Sequence, residues 1–60
     1  MSNYEIELNI LEILEANLNT SRLEAVKNGQ TDLAIMIHKF RELTRERIFD
    51  VKANKLMEAV

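Results

Sequence analysis

Cysteine is absent from this chain of 60 residues, which removes disulfides and thiolate metal sites. The same absence fits a reducing compartment, so a cytoplasmic location is the expectation. Histidine occurs once, too few for a histidine-based structural metal site. No metal and no cofactor are expected. Aromatics are limited to Tyr4, Phe40 and Phe49. A core must then be built from Leu, Ile, Val and Met, which suits helix packing. Long apolar runs are also missing. The longest, Leu33 to Ile37, is far short of the ~20 residues that a membrane span needs. Basic residues are missing from the N-terminal third, so there is no signal-peptide pattern and no membrane partner is expected.

What remains is small. A chain of this length is one domain at most, 1–60, and buries only about 60% of its unfolded surface. Scaffolds of this size add disulfides, a metal or a partner chain. With the first two excluded, a homo-oligomer, dimer or larger, is expected. Net charge is −2, but its distribution is uneven. Glu5, Glu7, Glu12 and Glu15 precede any Lys or Arg, and all 8 basic residues lie from Arg22 onward. This asymmetry predicts antiparallel pairing of an acidic helix with a basic one.

The stretch from Thr31 to Val60 has no Gly and no Pro and reads as one long helix, 31–58, with Thr31 as its cap and Asp32 in its first turn. Ser2 and Asn3 can cap an N-terminal helix, 3–18, whose early Glu5 and Glu7 suit the positive end of the helix dipole. Asn17 to Ser21 is rich in side chains that compete with the helical backbone, and Ser21 with Glu24 has capping-box spacing. A break is expected there, followed by a short helix, 22–28. Gly29, the only glycine, sits where a left-handed helix stop is needed. The fold class is all-α, a helical hairpin or three-helix chain, with first and last helices antiparallel, assembling into a multi-chain bundle.

The apolar pattern assigns faces. Tyr4, Leu8, Leu11, Leu14 and Leu18 form one stripe of the first helix, expected to meet Leu33, Met36, Ile37, Phe40 and Leu43. A second stripe, Ile6, Ile10 and Ile13, is left for another segment or chain. Phe49, Ala53, Leu56, Met57 and Val60 line a face rotated by roughly half a turn at about 100° per residue. Residues 48–60 are therefore expected to overhang and pack on a neighbour. The expected oligomer or partner interface is Ile6, Ile10, Ile13, Phe49, Leu56, Met57 and Val60.

Chemistry is sparse. His38, Arg41, Arg45 and Lys52 share one side of the long helix, and a basic stripe can track phosphates. Glu42, Glu46 and Asp50 interleave with it, the pattern of a solvated, salt-bridged face. Arg47 falls on the apolar side, where it either reaches out along its aliphatic stem with its head in water or, if buried, needs a carboxylate, for which Glu7 and Glu15 are the candidates. His38 and Glu42 are spaced like two metal ligands, but two ligands do not make a site. Ser2, Thr20, Ser21, Thr31 and Thr44 offer hydroxyls, yet one histidine and no Gly-rich loop leave no nucleophilic machinery. An enzyme is not expected. The expected function is a small oligomeric protein-binding regulator, adaptor or inhibitor. The alternatives are binding of RNA, DNA or a small phosphorylated ligand through His38, Arg41, Arg45, Arg47 and Lys52, or a purely structural assembly element.

Overall fold

Two helices account for nearly the whole molecule. The computed structural model describes residues 2–59, with side chains for residues 2–57. Helix α1 runs Asn3–Lys27 and helix α2 runs Thr31–Ala59. They form an antiparallel hairpin measuring 47 × 18 × 10 Å, a slab one helix thick. No strand occurs among the described residues.

The chain ends of the helices follow local chemistry. Ser2 stays extended (φ −74°, ψ 160°), and its Oγ accepts the Glu5 N–H at 3.2 Å. One orphan donor of the first turn is thereby satisfied. Helix α1 stops at Gly29, whose φ of +74° is disfavoured for residues bearing a Cβ. The Gly29 N–H donates to the Val26 carbonyl (3.1 Å) and the Gln30 N–H to the Ala25 carbonyl (2.8 Å). This pairing of donors is a Schellman stop. The Gln30 carbonyl then accepts the Ala34 N–H at 3.0 Å. Gln30, not Thr31, therefore occupies the cap of α2, and Thr31 is its first helical residue. The turn is so short that Gln30 serves both helices.

Asn17 to Ser21 is not a corner. Helix α1 is continuous through it, and there is no separate 22–28 helix. Thr20 Oγ1 donates back to the Ala16 carbonyl (3.2 Å), a bond made inside the helix rather than against it. Leu18, Arg22 and Ala25 continue the covered face of α1 beyond the polar stretch. That packing overrides a weak local propensity.

The seam is built differently from the apolar pattern. Glu7, Asn19 and Ala53 are partly covered at the margins, and the covered positions otherwise run through Tyr4, Leu8, Leu11, Glu15, Leu18, Arg22 and Ala25 on α1 and Ala34, Ile37, Arg41, Thr44, Ile48 and Val51 on α2. Both series alternate steps of three and four residues, a heptad seam. Ala25 and Ala34 are buried on either side of the turn, where small side chains let the helices come close. Val51 is 0% exposed at the other end. Of the α2 stripe expected in the core, only Ile37 packs inward, and Leu14 of α1 is also left outside. Residues 48–55 do not overhang. Ile48 and Val51 pack on α1, and Lys55 Nζ reaches Glu5 Oε1 at 3.9 Å.

Candidate functional site: the two broad faces

The polar members of the seam explain its register. Glu15 Oε1 accepts from Arg41 Nε at 2.6 Å, and the two side chains are only 24% and 23% exposed. Thr44 is buried, its Oγ1 donating to the Phe40 carbonyl at 2.8 Å. Arg22 donates from one terminal nitrogen to Asn19 Oδ1 (3.1 Å), while its buried Nε has no partner. The Thr44 and Arg22 bonds stay within their own helices, so of these groups it is the Glu15–Arg41 pair that ties the two helices in one register.

The ion pairs also identify the two faces. Arg47 meets Glu7 with both Nε (2.9 Å) and a terminal nitrogen (2.6 Å) across one side of the seam. Arg47 thus finds its carboxylate at the surface rather than in the core. Leu14 lies one heptad after Glu7, and Phe40 and Leu33 lie one and two heptads before Arg47. By the periodicity of both helices these residues share the Glu7–Arg47 side. Ile10, Met36 and Leu43 flank them one turn away on the same face. Ile6 and Ile13 stand at its outer edge. These eight side chains are 42–63% exposed.

The opposite face is mixed. An open groove of about 490 Å³ is bordered by Glu12, Arg45, Phe49 and Lys52, with the Glu15–Arg41 pair in its wall. A second depression of about 320 Å³ near the turn takes in Arg22, Val26, Ile35 and His38. Phe49 and Leu56 stand on this side, 73% and 70% exposed; Met57, 75% exposed, lies two heptads after Leu43 and so belongs by periodicity to the Glu7–Arg47 side. Val60, expected to join them, lies outside the described residues.

Of the five expected ligand-binding residues, Arg41, Arg45 and Lys52 line one groove, while His38 and Arg47 stand outside it. Arg41 is held in the seam by Glu15, and Arg47 is held by Glu7 on the apolar face. His38 Nε2 lies 3.2 Å from Glu42 Oε1 at the surface. Arg45 and Lys52 remain beside the mixed groove, with no carboxylate within ion-pairing distance among the described residues. Among the described residues no group of three or more His, Cys, Asp or Glu is placed to hold a metal ion. Hydroxyls of Ser2, Thr20 and Thr44 are engaged with the backbone. No described helix is long and apolar enough to cross a membrane.

Sequence reasoning offered Glu15 as a partner for Arg47, where the structure gives it to Arg41, and it missed Arg22 and Thr44 as seam residues because it built the seam from apolar side chains. A usable signal was present in the heptad spacing of Leu8, Glu15 and Arg22 and in small Ala25 and Ala34 flanking the only glycine. No protein-family model matches the chain, and searches of curated proteins and of solved structures return no match.

Proposed function

We propose that this chain works by binding protein, as a small non-enzymatic adaptor, inhibitor or regulator that self-associates through its helical surfaces. The observation that carries this reading is the single helical layer. A slab 10 Å thick has no second layer to cover its broad sides. Its surface is correspondingly large. The chain exposes 4811 Å², against roughly 4,000 Å² for a compact monomer of the same mass. Large apolar side chains, among them Ile10, Phe40, Leu43, Phe49 and Leu56, stand exposed on it, and apolar side chains grouped on a surface support reading it as an interaction site.

Phosphate binding is the second reading, favoured by Arg45 and Lys52, which lack partners among the described residues. It is weaker because Glu12 shares their groove and because two of the expected arginines already hold carboxylates.

Salt separates the two. Light scattering during size exclusion, run in about 50 mM and about 500 mM salt, is expected to give a multiple of the 7.0 kDa chain mass at both. A 7.0 kDa monomer that binds short RNA or DNA with affinity falling steeply over this range would overturn the protein-binding reading. In that case Arg45→Glu with Lys52→Glu should abolish the binding.

A further inference from the structure

We infer that the face marked by the Glu7–Arg47 pair is the contact between two copies of this chain, and that the face bearing Phe49 is not. This deepens the proposed function and rests on its self-association. Four observations select the occupant and the face.

The first is area. Six side chains, Ile10, Leu14, Leu33, Met36, Phe40 and Leu43, form the face, each 42–61% exposed. With Ile6 and Ile13 at the edge, they present on the order of 800 Å² of apolar surface, the amount each partner contributes to a stable interface of standard size. The second is charge. Along the middle of this side the ionic contact among the described residues is the Glu7–Arg47 pair, closed within the chain; Glu24 and Asp50, which share the side by periodicity, stand toward its two ends. The apolar stretch between those ends meets its own copy without like-charge repulsion, the usual barrier to self-association.

The third is the contrast with the other side. There Phe49 is hemmed by Glu12, Arg45 and Lys52, and His38 and Glu42 lie along the same helix surface. Covering it with a copy would strip water from charges that lack matched partners, at a cost that apolar contact does not offset. The fourth is thickness. Stacking two 10 Å layers on the apolar face produces the two-layer core that the chain lacks. The large residues that the hairpin leaves outside then become the interior. Small Ala25 and Ala34 within the hairpin and large Phe40, Met36 and Leu43 outside it fit this order of burial. The Phe49 face is left open for a partner of another kind.

The chain has no cysteine, so a single introduced thiol reports its own surroundings. Leu43→Cys and Phe49→Cys would each be labelled with a maleimide at about 1 µM and about 500 µM chain, with mass by light scattering at both. Both positions are exposed, at 61% and 73%, so neither change disturbs the hairpin seam. The expected result is a doubled mass at high concentration. With it, labelling of Leu43→Cys should slow by more than about tenfold while that of Phe49→Cys changes less than about twofold. A doubled mass with protection at Phe49→Cys instead overturns this face and leaves self-association standing. A monomer with equal labelling at both concentrations overturns the face and the self-association together. Circular dichroism on each variant confirms that helix content matches the parent, so that unfolding is not mistaken for dissociation.

Discussion

Arg41 and Glu15 sit at the centre of the seam, where an apolar pair would be ordinary. Their 2.6 Å contact is largely withdrawn from water, so each charge depends on the other for the solvation it has lost. Removing one partner strands the other. Arg41→Met is expected to lower stability by about 1–3 kcal/mol in urea unfolding. The double change Glu15→Leu with Arg41→Leu is expected to be neutral or stabilising, because it removes both desolvation terms and adds apolar contact. A double variant as unstable as Arg41→Met would mean that the carboxylate and guanidinium are not compensating each other. What the double variant should lose is register. A mid-seam pair between unlike charges holds one alignment of the two helices, which a uniform leucine seam does not. Val51, fully buried, is the matching apolar anchor at the open end. Its truncation to Ala should cost about 2 kcal/mol by the same measurement.

Helix α1 is the element whose local and tertiary signals disagree. Asn17, Asn19, Thr20 and Ser21 weaken it, yet it runs unbroken for 25 residues. The cost of those residues is a few tenths of a kcal/mol each, while losing the contacts of Leu18, Arg22 and Ala25 would cost far more. The sign of one substitution checks this. Ser21→Ala is expected to raise stability by roughly 0.3–0.5 kcal/mol, because Ala outranks Ser inside a helix. If Ser21 capped a separate short helix, the same change would instead lower stability by about 1 kcal/mol. The end of α1 needed no tertiary help. Gly29, at φ +74°, donates one hydrogen bond of the stop and turns the chain so that Gln30 donates the other, and nothing in the hairpin crowds it.

At the scale of the molecule, the hairpin has buried little. Ala25, Ala34 and Val51 are its buried apolar residues among those described, while Phe40, Leu43, Met36, Ile6, Ile10, Ile13 and Ile35 face outward. Such a layer has little stability to draw on alone. Coupling of folding to association makes stability depend on concentration. The thermal midpoint is expected to rise by several degrees between about 5 µM and about 500 µM chain, read by circular dichroism. A midpoint independent of concentration would show that the single layer is sufficient by itself. The charge asymmetry along the chain acts at this scale too. Glu5, Glu7 and Glu15 on α1 each meet a base on α2, which favours the antiparallel arrangement over its alternatives.

Much of this was legible in the residues. Helical class, the Ser2 cap, the Gly29 stop and the antiparallel pairing follow from chemistry within a few positions or from gross charge placement, and neither depends on where distant side chains land. The choice of face did not follow. Leu33, Met36, Phe40 and Leu43 are spaced as a core stripe should be, and a helix wheel cannot tell a stripe that packs on its own chain from one left for another. That decision belongs to tertiary structure. The short turn sets the rotation of α2 about its axis, Ala25 and Ala34 allow close approach beside it, and Glu15 with Arg41 holds the register. Once those are in place, the largest apolar residues have no room between the helices and stand on the face beside the seam.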